Sequence, residues 1–186
     1  TTLMSTQFNS ENGQTPAVWR RGANDGMFLG LWMSAIFICG AYSQNISLLA
    51  WLTLLMMAAV PVIVYGWLKR DWLKWPQMRF FSAAWMHGIC IFFFGSLIMA
   101  AVIVIFLKFI RPDFILESVR RAIEIYRSLD DPEAANIAHT LQEMINRHML
   151  PTPVNLGITM IWTVTFTGSI LSMILTGIVK LTTRNK

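Results

Sequence analysis

The sequence predicts an all-α integral membrane protein. The expected form is a four-helix bundle with an extracytoplasmic amphipathic helical hairpin between spans 3 and 4, folded as a single membrane domain over residues 1–186. Three observations predict it. Hydrophobic residues are 55% of the 186 and charged residues 13%, against about 45–50% and about 25% in soluble proteins. Four stretches are long and apolar enough to cross about 30 Å of hydrocarbon, which takes roughly 20 residues of helix. A polar segment of about forty residues separates the last two. A soluble domain of this size could not hide so much apolar surface. Disorder is excluded as well, because it needs low hydrophobicity and high net charge.

Residues 1–21 are expected to form a cytoplasmic tail; the first ten are polar and nothing in them predicts order. Thr1 is not an initiator methionine, so a trimmed or tagged chain is expected. No segment has the charged, apolar and small-residue regions of a signal peptide. The first span is expected at about 22–42, its apolar run Gly26–Tyr42 being short unless Gly22–Asp25 extend it. The second covers about 48–68, with Pro61 predicted to kink its inner half. The third, about 82–110, is long enough to tilt or to project from the bilayer. The fourth covers about 154–181.

The insertion at 112–150 reads as the hairpin. Pro112 suits the first turn of a helix. Ile115, Val119, Ala122, Tyr126 and Leu129 then recur in steps of four and three, one apolar stripe, while Glu117 and Arg121 pair on the polar face. Asp130-Asp131-Pro132-Glu133 ends this helix and starts another, with Asp131 as cap and Pro132 in the first position. Ala134, Ile137, Leu141, Met144 and Ile145 form the second stripe, and Pro151 and Pro153 stop it. Each stripe needs a partner: the other helix and the outer bilayer surface, or a second protein. The candidate outer interaction face is Ile115, Val119, Tyr126, Ile137 and Leu141.

Charge sets the orientation. The amino-terminal flank, the second connection and the carboxyl tail hold nine basic residues and three acids, +6 together. Residues 108–153 hold six and seven, or −1, and the two figures recover the formal +5. Basic loops stay inside, so both termini are expected in the cytoplasm. The positive charge is then a topological signal and not a nucleic-acid patch. In the inner loop, Trp67, Trp72, Trp75, Phe80 and Phe81 alternate with Lys69, Arg70, Lys74 and Arg79. Tryptophan favours the headgroup level, and lysine and arginine reach anionic lipid there. The candidate lipid or partner surface is therefore Lys69, Arg70, Trp72, Lys74, Trp75 and Arg79. Anionic headgroups are the bland occupant and a cytoplasmic enzyme the sharper one.

Ionisable groups within spans are functional candidates. Asp25 and His87 enter from the same side at similar depth and form a candidate intramembrane polar pair, read first as structural. Gly22, Gly26 and Gly30 make two GxxxG steps that let another helix approach closely. Ala84–Gly88, Ser96–Ala100 and Gly168–Ser172–Thr176 repeat the spacing. Packing within one bundle is favoured over dimerisation for all of them. The threonines at 159, 163, 165, 167 and 176 bond their own helix more readily than they line a path. Cys39 and Cys90 are read as small hydrophobes on opposite faces, too far apart to bridge. His139, Glu143 and His148 lack the HExxH arrangement of a metalloprotease. No catalytic motif is present, and neither enzymatic activity, cofactor nor metal is expected.

The junction Lys108-Phe109-Ile110-Arg111-Pro112-Asp113-Phe114 and the run Met149-Leu150-Pro151-Thr152-Pro153 before the last span carry a resemblance. With four spans and a helical insertion, the chain from about Arg21 to Lys180 resembles the family of small bacterial membrane proteins known as domain of unknown function 4199. The family's pattern has one proline fewer before the last span, and it brings no established activity. The resemblance also suggests genes beside membrane glycosyltransferases of the polyprenyl-phosphate type, and so an accessory role in envelope glycan or lipid assembly. The expected function is a non-catalytic accessory or scaffold subunit, working as a homo-oligomer or with a membrane enzyme. The alternative is a small oligomeric transporter or lipid flippase with a cavity lined by Asp25, His87 and the threonines of the last span.

Overall fold

The computed structural model describes residues 18–43, 47–129 and 131–184. The polar tail with Glu11, the centre of the uncharged first connection, Asp130 and Lys186 lie outside the described residues. Six α-helices follow one another among the described residues. They are α1 (Val18–Ser43), α2 (Ser47–Lys74), α3 (Phe81–Ile105), α4 (Phe114–Ser128), α5 (Pro132–Asn146) and α6 (Pro153–Arg184). A 3-10 turn, Pro76–Arg79, joins α2 to α3, and a π turn, Phe106–Ile110, prolongs α3. Among the described residues, four segments are long and apolar enough to cross a membrane: Trp19–Ser43, Leu48–Lys74, Phe81–Ile110 and Pro153–Thr183.

Burial is inverted relative to a soluble protein. Leu48, Trp51, Leu55, Trp162 and Phe166 are each more than 70% exposed, whereas Asp25, Asp71, His87, Ser96, Ser172 and Thr176 are buried. Only 11% of the α2 window and 17% of the α6 window is buried inside the protein. An apolar exterior of that extent needs hydrocarbon around it. The chain is a multi-pass membrane protein.

The described residues fall into two compact units: those up to residue 99 together with those from residue 161, and those between 100 and 160. In the first, Leu29, Val60, Val64, Leu68, Ile91, Phe92, Leu175 and Val179 form the centre of the core. Indole N–H groups tie its helices in pairs: Trp32 Nε1 donates to the Met56 carbonyl at 3.1 Å and Trp85 Nε1 to the Ser169 carbonyl at 3.1 Å. The glycine ridge of α1 is consumed within this bundle. A Cβ on Gly26 would lie 2.7 Å from the Ile91 carbonyl oxygen, and one on Gly30 2.7 Å from that of Gly95. Gly22 faces Cys90, Gly88 faces Ser172 and Gly168 faces the Phe92 side chain. Only glycine lets the backbones approach so closely.

In the second unit, the Arg111 N–H donates to the Phe106 carbonyl and closes the π turn. Phe106 packs edge-to-face on Phe114, with centroids 6.0 Å apart. Arg111 Nη2 holds Glu117 Oε2 at 2.7 Å, and Arg121 reaches the same oxygen at 3.7 Å. So Glu117 serves the junction as well as its own helix. Pro112 lies in a turn before α4, outside the first turn where it was expected. Asp131 caps α5, its side chain accepting from the Glu133 N–H at 3.1 Å, with Pro132 next. The α4–α5 hairpin buries Ile123, Ala134 and Ala138. Ile115, Val119, Tyr126 and Leu141 are half-buried and Ile137 is exposed.

Two boundaries differ from expectation in ways that matter for the site. α1 begins at Val18, so Arg20 and Arg21 belong to a helix and not to the tail. α2 runs through Lys74, six residues past the expected end at Leu68. The reason is packing. Val60, Val64, Leu68 and Trp72 recur every four residues and all are buried, one face of a continuous helix. Trp72 is consequently a core residue and not part of the surface assigned to it, while Lys74 and Arg79 are exposed.

Candidate functional site

The residues that meet at one end of the first unit extend the core stripe of their helices by a turn. Asp25 stands four residues before the fully buried Leu29 of α1. Asp71 stands three after Leu68 and seven after Val64 on α2. His87 lies between Ala84 and Ile91 of α3, three after one and four before the other. The helical repeat that buries the apolar residues therefore buries these as well. Asp25 is 5% exposed, Asp71 3% and His87 0%.

Arg70 organises them. Its Nη2 donates to Asp25 Oδ2 at 2.8 Å and its Nε to Asp71 Oδ1 at 2.9 Å. His87 Nε2 lies 3.6 Å from Asp25 Oδ2 and 3.3 Å from Asp71 Oδ2. One guanidinium thus bridges two carboxylates from different helices, and an imidazole from a third helix faces both. Such charges are tolerated away from water only when paired and hydrogen-bonded. Arg70 keeps 41% of its side chain exposed, so the network is sealed on the imidazole side and wet on the guanidinium side.

The wet side opens into a cavity of about 830 Å³ lined by Arg20, Arg21, Asp25, Arg70, Lys74 and Trp75, among others. The Arg21 guanidinium stacks 3.8 Å from the centre of the Trp75 ring, a cation–π contact. A second cavity of about 440 Å³ is apolar, with Met33, Met57, Pro61, Phe92, Thr163 and Thr167 in its wall. Asp25 and the α6 threonines therefore line different spaces. His87 lines neither cavity. Ser96 and Thr165 meet at 3.3 Å between their hydroxyls.

The other sequence candidates lie elsewhere. Gly22, Gly26 and Gly30 serve packing against α3. Lys69 sits 5.8 Å from the Tyr65 ring. His139 is exposed, Glu143 pairs with Arg147 at 3.8 Å, and His148 takes a positive φ of 54° just past α5. Cys39 and Cys90 are both free and half-buried. Sequence reasoning missed Asp71 as a site residue and gave Arg70 to the headgroups. The stripe Val60-Val64-Leu68-Trp72 was the available signal. It carries the helix past Leu68 and turns Asp71 inward.

No curated protein and no solved structure matches the chain. One family model does, described as protein of unknown function DUF4199, over residues 24–180. That match spans all four apolar helices, the hairpin and every member of the Asp25–Arg70–Asp71–His87 network. The chain belongs to the DUF4199 family.

Proposed function

We propose that this protein is a non-catalytic accessory subunit of a bacterial inner membrane, with both termini in the cytoplasm, that works by holding a partner protein. One observation carries the reading. Among the described residues, the buried ionisable groups gather at one end of the bundle, where Arg70 holds both carboxylates, while the apolar cavity has no ionisable wall. A transporter would need polar groups continuing through the bilayer. Two separate cavities supply no such path. Arg70 holds one oxygen of each carboxylate and so ties α2 to α1, which supports a packing role for the network.

The surface offered to a partner is the basic and aromatic rim around Arg20, Arg21, Lys74 and Trp75, with anionic headgroups as the competing occupant. The hairpin is the second candidate contact. The family resemblance adds an accessory role in envelope glycan or lipid assembly. Purification in mild detergent from native membranes tests this reading. A stable complex with a second protein or a second copy is expected. It should be weakened by Lys69→Gln with Lys74→Gln and Arg79→Gln, a variant that leaves Arg70 in place. A lone monomer that keeps no partner would overturn the proposal.

A further inference from the structure

We propose that Asp25, Asp71 and His87 form a binding site for one divalent transition-metal ion, with zinc the best fit. Among the described residues they are a group of three buried metal-competent side chains whose donor atoms all lie within 4.8 Å of one another. They come from α1, α2 and α3, so an ion there would join three helices at one point.

Four features support the site. The first is spacing. Donors bound at about 2.0–2.2 Å around a tetrahedral ion stand about 3.3–3.6 Å apart. His87 Nε2 stands 3.3 Å from Asp71 Oδ2 and 3.6 Å from Asp25 Oδ2. The second is an unspent acceptor: Asp71 Oδ2 is buried and accepts no hydrogen bond, although the residue is 3% exposed. Such an atom costs free energy unless something binds it. The third is charge. Two carboxylates and one guanidinium carry one negative charge more than they balance, which a cation would offset, and an imidazole nitrogen is a metal donor. The fourth is support and access. Arg70 donates to both carboxylates and fixes their orientation, as outer groups do around metal ligands. Asp25 and Asp71 also line the open cavity. Mixed imidazole and carboxylate donors suit zinc, iron or manganese more than soft ions, and three protein ligands leave a position for water.

The test uses the full-length protein in mild detergent, stripped with EDTA and reloaded with zinc chloride. Wild type is expected to retain about one zinc ion per chain after desalting and to melt at a higher temperature than the stripped form. Asp71→Asn and His87→Gln should lose that zinc and the shift. Arg70→Gln, a change at a positioning residue, should weaken binding about 10- to 100-fold. His139→Ala with His148→Ala should retain the zinc. A cobalt-loaded wild type gives a readout that needs no variant to fold: strong visible bands of four-coordinate cobalt are expected. The proposal is overturned if folded wild type retains no zinc and cobalt shows only the faint bands of the hydrated ion. It is overturned equally if folded Asp71→Asn and His87→Gln hold as much zinc as wild type.

Discussion

Replacing Gly26 by alanine adds one carbon, and the structure says where that carbon goes. It would lie 2.7 Å from the Ile91 carbonyl oxygen, 3.0 Å from the Phe94 Cβ and 3.3 Å from the Gly95 nitrogen. Non-bonded carbon contacts are most favourable at about 3.5–4.0 Å. Two of the three neighbours are backbone atoms and cannot swing aside, so α1 and α3 must part locally by nearly 1 Å. A gap of about 0.5–1 Å forfeits roughly a quarter to a half of each dispersion contact, and overpacking of this kind costs about 1–3 kcal/mol. Alanine is also the better helix former, by about 1 kcal/mol. Gly66→Ala isolates that gain, because a Cβ at Gly66 meets nothing within 4 Å. The difference between the two variants is the packing cost alone. It corresponds to a roughly 5- to 150-fold difference in unfolded fraction, at about tenfold per 1.4 kcal/mol. Parallel unfolding titrations in detergent measure it. Equal stability of Gly26→Ala and Gly66→Ala would refute close packing of the ridge on α3.

Three further outcomes follow from the same structure. Arg70→Gln should destabilise the protein by about 3 kcal/mol, near the low end for a broken buried pair, because the guanidinium is 41% exposed; an unfolding curve unchanged from wild type would remove Arg70 as organiser of the network. Asp131→Ala should cost about 1 kcal/mol through loss of the α5 cap, read as faster amide exchange at Glu133 and its neighbours; unchanged exchange would show that the cap holds nothing. For topology, a cysteine replacing Glu133 should react with a membrane-impermeant maleimide on spheroplasts, and one replacing Lys74 only after permeabilisation. The reverse pattern would invert the orientation.

Much of the fold was legible because membrane helices obey length and hydropathy rules that a single sequence displays. The α5 cap could be read from Asp131-Pro132, whose side-chain and ring chemistry acts locally. The end of α2 could not be read from hydropathy, because Lys69, Arg70 and Asp71 lower it abruptly while packing of Leu68 and Trp72 keeps the helix going. The same confusion hid half of the site. Asp25 and His87 stood out as lone ionisable groups inside apolar runs. Arg70 sat among basic residues and was assigned to headgroups, and Asp71 beside it was not singled out. The Pro112 turn was missed for another reason. Tertiary contacts from Phe106 and Arg111 to Phe114 and Glu117 set the start of α4, and no local pattern reports them.

The most direct measurement of the proposed role is amine cross-linking in intact native membranes, followed by mass spectrometry of the purified protein. Lys74 lines the basic and aromatic rim and Lys69 precedes it on the same helix, so partner binding predicts cross-links from them to one other protein, or to a second copy, that recur between preparations. Cross-links confined to this single chain, with the protein recovered as a monomer, would contradict it.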